Sequence, residues 1–168
     1  MSHGNCGEKS KGCYILLIEL NEDAIVTVGK LGSIAFAKGS YAYIGSAMNG
    51  LETRIRYHLR KNKSPHWHID YLLEKASIRE IILCQTEERL ECTIAQALAR
   101  KLPSIPGFGS SDCRCGSHLY FILGKDELQS LVWEALGNLG LATSCRICRL
   151  LHSPRGDDRM AVHSIRYG

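Results

Sequence analysis

No apolar run in the 168-residue chain approaches the roughly 20 residues that a membrane-spanning helix needs. The opening stretch MSHGNCGEKSKGC is basic, but Glu19, Glu22 and Asp23 interrupt the segment where the apolar core of a secretory leader would lie. A secretory signal is therefore not expected. There is no internal repeat and no low-complexity tract, which removes repeat arrays from consideration. Apolar residues are not scarce: 45% hydrophobic against 23% charged excludes a wholly disordered or fibrous chain. The length suits one domain with at most a modest appendage. Acidic residues are missing altogether between Thr53 and Ile69. The overall charge is only +4, so what matters is where it gathers.

Cysteine, by contrast, is abundant, at positions Cys6, Cys13, Cys84, Cys92, Cys113, Cys115, Cys145 and Cys148. Cys13, Cys84 and Cys92 lie in or beside apolar runs, where a thiol behaves as a small hydrophobe. Without an export signal, an even cysteine count is weak evidence for disulfides. A cytoplasmic protein with reduced thiols is the expectation.

Periodicity divides the chain into short elements. Residues 1–11 are polar and Gly-rich and predict a flexible N-terminus. Residues 13–18 form a continuous β-prone run, the pattern of a strand covered on both faces. Short strands follow at 24–28, 33–36 and 41–44, separated by turn residues. Leu51, Ile55 and Leu59 then recur every four residues as one helix stripe, which Pro65 closes. A helix is predicted from about residue 66 to 75, a strand at 78–84, and a helix marked by Leu90, Ile94, Ala97 and Leu98. Residues 103–117 hold two prolines and three glycines and read as a structured loop. A strand at 118–123 and a helix carrying Leu128, Leu131, Val132, Leu136 and Leu139 complete the pattern, and a loose tail starts near Pro154. Alternating short strands and helices predict a small α+β domain.

The cations gather on the first helix and just beyond it. Arg54, Arg56, Arg60, Lys61 and Lys63 share the acid-free stretch with His58, His66 and His68, a local field suited to a phosphate backbone. Arg54, His58 and Lys61 are spaced three to four apart and flank the apolar stripe, where cleft-lining residues sit. The alternative is a solvated helix face. Tyr57 and Trp67 are suited either to stacking on bases or to the core.

Gly12-Cys13-Tyr14 on the first strand, Tyr43-Ile44-Gly45 on a later one, and Arg54 and His58 on the following helix resemble the GIY-YIG nuclease superfamily. His66-Trp67-His68-Ile69-Asp70-Tyr71-Leu72 and the loop from Gly107 to Cys115 are similar to one archaeal and bacterial branch of it. The resemblance covers about residues 12 to 123 and places a GIY-YIG-like domain at 12–141. A C-terminal extension at 142–168, partly disordered, carries Cys145-x-x-Cys148. The resemblance implies a small central antiparallel sheet flanked by helices, one Mg2+ or Mn2+ ion, and hydrolysis of DNA phosphodiesters. On this reading Tyr14 and Tyr43 lie near the attacking water, Arg54 binds the scissile phosphate, and His58 assists proton transfer. Glu91 would hold the metal, and Arg56, Arg60, Lys61, Lys63, His66 and His68 would contact nucleic acid.

The residue types suit that chemistry. Arginine offers two parallel donors to a phosphate, and histidine titrates nearest neutrality. A tyrosine acts as a base only where its surroundings favour the phenolate. Glu91 is the least constrained assignment: a shift of one turn would put Ala95 in its place, and Glu87 and Glu88 are nearby. The half-site Cys113-x-Cys115 with His118, and Cys145-x-x-Cys148 with His152, together offer an alternative zinc site should the halves meet. The expected function is a metal-dependent endonuclease acting on branched or damaged DNA, with RNA as an open alternative. No membrane association is expected, and specificity would come from a homodimer or protein partner. A non-catalytic nucleic-acid-binding module and a zinc-stabilised interaction domain are the competing readings.

Overall fold

The unbroken apolar run near the N-terminus becomes the middle strand of the sheet. In the computed structural model, which describes residues 10–149, the strands are β1 (Gly12–Leu20), β2 (Ala24–Thr27), β3 (Ser33–Phe36), β4 (Gly39–Ala47), β5 (Ser77–Gln85), β6 (Leu119–Ile122) and β7 (Cys145–Arg149). The helices are α1 (Leu51–Leu59) and α2 (His68–Leu73) between β4 and β5, α3 (Glu91–Ala99) before β6, and α4 (Lys125–Asn138) after it. The main sheet has the order β6-β4-β1-β5-β7 and is antiparallel throughout, while β2 and β3 form a separate hairpin.

β1 pairs with β4 on one side and β5 on the other, so its backbone groups are satisfied along both edges. Its alternate side chains enter two different cores. Tyr14, Leu16 and Ile18 pack with Leu51 and Ile55 of α1, Ile69 and Leu72 of α2, and the β2–β3 hairpin. Cys13, Ile15 and Leu17 pack on the other face with α3 and α4. Because both faces are covered, the strand shows no polar alternation. The expected small central antiparallel sheet flanked by helices is present.

β7 lies in what the sequence marks as an extension. Residues 145–149 pair with β5 as an edge strand, and Ile147 and Cys148 are buried. Register sets Cys145 directly opposite Cys84, with their Cα atoms 4.2 Å apart, and the two are joined as a disulfide. The expectation of uniformly reduced thiols is corrected here: cross-strand pairing brings two sulfurs together that sequence reading assigned to separate roles. Residues 1–9, including Cys6, and the tail from 150 onward, including His152, lie outside the described residues. Among the described residues no helix is long and apolar enough to cross a membrane.

Candidate active site and metal cluster

The two triplets meet because β1 and β4 are neighbours. Tyr14 stands opposite Gly45, and the rings of Tyr14 and Tyr43 lie 6.4 Å apart, centroid to centroid. A Cβ at position 45 would come within 2.4 Å of the Tyr14 Cζ and Oη atoms. Glycine there is what lets the Tyr14 ring lie across β4. Tyr43 is covered in the same way by Gly109, whose φ of +72° suits glycine and whose added Cβ would sit 2.9 Å from Tyr43 Cε2. Both tyrosines are almost fully buried, so neither lines an open, water-filled groove.

Tyr14 continues into a buried polar chain. Its hydroxyl lies 2.7 Å from His58 Nε2, and His58 Nδ1 faces Asp70 Oδ1 at 3.6 Å, too long for a hydrogen bond. Asp70 Oδ2 accepts the backbone N–H groups of His66 at 2.8 Å and Trp67 at 2.9 Å, and the Tyr57 hydroxyl at 3.3 Å. Burial alone would raise the Asp70 pKa. Interaction with His58, the two backbone donors and the nearby Lys63 ammonium outweigh it and hold the carboxyl well below the usual range. Burial also lowers the His58 pKa against the pull of Asp70, so the imidazole is neutral at neutral pH. The ionised Asp70 assigns the ring proton to Nδ1, which leaves Nε2 to accept from Tyr14.

Arg54, one turn before His58 on α1, is partly exposed. Its guanidinium carbon stacks 4.1 Å above the Trp67 ring, and Nη1 donates to the Ser46 carbonyl at 3.3 Å. Burial drives the Tyr14 pKa above the ordinary phenol range; Arg54 opposes this through its charge and a hydrogen bond, while Glu91 reinforces it. Tyr43 is driven up by burial and by Tyr14, again with Glu91 raising and Arg54 lowering its pKa. Both phenols are therefore protonated at neutral pH.

Glu91 opens α3 and is partly exposed, as suits an acid at a helix N-terminus. Its charge acts on Tyr14 and Tyr43 and also on Cys13 and His118. Ala95 is fully buried, with its carbonyl accepting the Tyr120 hydroxyl at 2.6 Å, and Glu87 and Glu88 are exposed in the turn before α3.

The cations assigned to nucleic-acid contact fall into two groups. Arg56, Arg60, Lys61 and His66 are exposed, with Arg56 3.9 Å from Glu52 and the His66 ring edge-on to Trp67. Lys63 is turned inward: Nζ donates to the carbonyls of Tyr57 at 2.9 Å and His58 at 2.8 Å and lies 3.5 Å from Asp70 Oδ1. It caps the C-terminus of α1 and does not present its charge to a phosphate. His68 Nδ1 accepts the Gly109 N–H at 2.9 Å, so this ring staples the glycine loop to α2.

A second constellation begins at Cys92, the residue after Glu91. Cys92 on α3, Cys113 and Cys115 in the loop, and buried His118 place their ligand atoms within 4.8 Å of one another. His118 Nε2 is 3.5 Å from Cys113 Sγ and 4.0 Å from Cys92 Sγ. Zinc bonds of about 2.3 Å to sulfur and about 2.0 Å to nitrogen imply ligand separations of roughly 3.5–3.8 Å, which the Cys113–His118 pair meets and the Cys92–His118 pair slightly exceeds. Burial and the neighbouring thiols push Cys92 up to about 12 and raise Cys115 as well. The cluster can hold a metal, and its sulfur donors suit soft or borderline ions rather than Mg2+ or Mn2+.

The expected partner half-site is not there: Cys145 is in the disulfide and Cys148 is in the core on the other face of the sheet. The sequence groups Cys92 with the core thiols, and only its place on the helix beside the loop brings it to the other three side chains. No curated protein and no solved structure matches the chain. Residues 13–141, which span β1 through α4 and include both constellations, match the family described as Domain of unknown function DUF123. The chain belongs to that family.

Proposed function

We propose that this DUF123 protein is a GIY-YIG-like, divalent-metal-dependent endonuclease that hydrolyses DNA phosphodiester bonds. The observation that carries this reading is the buried Tyr14–His58–Asp70 chain, bordered by Arg54 and acted on by the Glu91 charge. A phenol hydrogen-bonded to a neutral imidazole can take a proton from water while passing its own to His58 Nε2. Asp70 then offsets the charge on the imidazolium. Arg54, held over the Trp67 ring, supplies a fork of donors to a phosphate arriving at the partly exposed side of the site. Glu91 fits an ion that takes one protein carboxylate and keeps most of its waters. When bound, such an ion would offset charge on the phosphoryl oxygens. Arg56, Arg60 and Lys61 extend the basic surface along α1.

One observation favours a second reading, a non-catalytic nucleic-acid-binding module: burial keeps both phenols protonated. Incubation of the protein with branched, nicked and linear DNA, and with RNA, in Mg2+ or Mn2+ separates the two. The endonuclease reading expects products that an Arg54→Ala/Glu91→Ala control does not form. Salt-sensitive binding without products on any substrate would support the binding module instead.

A further inference from the structure

We propose that Cys92, Cys113, Cys115 and His118 bind one Zn2+ ion that fastens the first turn of α3 to the 103–118 loop, and so sets Glu91 against the two tyrosines. The zinc site stands without the endonuclease reading; its influence on Glu91 rests on that reading.

Three lines of geometry support the ion. The four ligand atoms lie within 4.8 Å of one another, a space for a single ion; the ligands of an iron–sulfur cluster bind different irons and stand further apart. The set is three thiols and one imidazole, a usual closed structural zinc shell. His68, buried Phe108 and buried Ser117 hold the base of the loop, but the two tips that meet at the cluster have few contacts of their own. The N-cap of α3 is Leu90, whose side chain cannot accept a hydrogen bond, so the first turn has no side-chain cap. In the loop, Ser111, Asp112, Arg114 and Gly116 are all exposed, leaving little apolar surface to hold this turn in place.

The fourth ligand ties the ion to the sheet. His118 accepts the Ile44 N–H at 3.0 Å through its backbone carbonyl and donates its own N–H to Phe108 at 2.7 Å. Ile44 follows Tyr43, Phe108 precedes the Gly109 that covers Tyr43, and Cys92 follows Glu91. One ion thus joins the element carrying the acid to the elements that frame the phenol.

Metal analysis of reduced protein purified without chelator should find one zinc per chain. Co2+ in its place should give the absorption of a tetrahedral ion with thiolate ligands. The Cys113→Ser/Cys115→Ser variant should lose both signals. Zinc well below one equivalent in the reconstituted wild type, or no thiolate absorption on Co2+ titration, would overturn the site even if the variant fails to fold. The link to Glu91 predicts that zinc removal weakens the apparent Mn2+ affinity for cleavage by about 10- to 100-fold, restored by zinc alone. Stoichiometric zinc in a protein that cuts no nucleic acid would remove this link and the endonuclease reading while leaving the zinc site. Cleavage with unchanged Mn2+ dependence after zinc removal would overturn the link and leave the endonuclease.

Discussion

At Tyr14 a single methyl group is enough to disturb the site. Gly45→Ala would place a carbon 2.4 Å from the phenol, on a strand paired along both edges, so the ring must move and the 2.7 Å contact with His58 must lengthen. We expect a loss of about 1–3 kcal/mol in urea unfolding, as for other overpacked cores. Cleavage should fall with it. Tyr14→Phe leaves the ring in place and removes only the hydroxyl, so it tests the chemistry more cleanly. It should reduce single-turnover cleavage by about 10²- to 10⁴-fold, the usual range for a positioned acid or base. Arg54→Lys should also impair cleavage by at least about tenfold, because an ammonium cannot reproduce a planar fork stacked on Trp67.

At the scale of elements, α1 and α2 are joined by the His58–Asp70 contact, and this makes the fold sensitive to acid. The His58 pKa is lowered on folding, so its contribution to stability is present above the unfolded value of about 6.5 and is lost as pH falls below it. The Asp70 pKa is also lowered, and its contribution is lost only further down, as pH falls below about 4. Thermal melts should therefore be flat only between about pH 7 and 8, below the range where the buried thiols and phenols begin to matter, and fall in two stages on acidification. In an Asp70→Asn variant the second stage should shrink.

Much of this arrangement is legible in the sequence. The apolar run of β1, the 51/55/59 stripe of α1 and the order of the two triplets place Tyr14, Tyr43, Arg54 and His58 together, because each depends on local periodicity and neighbouring strands. Asp70 is not legible as the partner of His58, nor Lys63 as an inward cap. Both roles depend on how the segment between α1 and α2 folds back. Cys92 is hidden for a related reason: it is 21 residues before Cys113, and only the packing of α3 beside the loop brings their sulfurs together.

Over the whole molecule, β7 closes one edge of the sheet and the Cys84–Cys145 disulfide ties it to β5 across 61 residues of chain. β7 escapes a sequence reading because five residues at an edge carry too little pattern to separate from a tail. Cys145→Ser, or reduction of the wild type, should cost about 2–4 kcal/mol, read from unfolding curves with and without reductant. Cleavage at moderate temperature should be unaffected, since the disulfide lies on the face of the sheet opposite Tyr14.

Glu91 ties these scales together: its charge acts on both tyrosines, and the next residue, Cys92, belongs to the cysteine cluster. The most direct measurement is single-turnover cleavage of a branched DNA in Mn2+ by wild type and Glu91→Gln, matched for zinc content and folded state. A drop of about 10²-fold or more with DNA binding retained is the predicted result. Equal cleavage by the two proteins would contradict the placement of the metal at Glu91, and no cleavage by either would contradict the endonuclease.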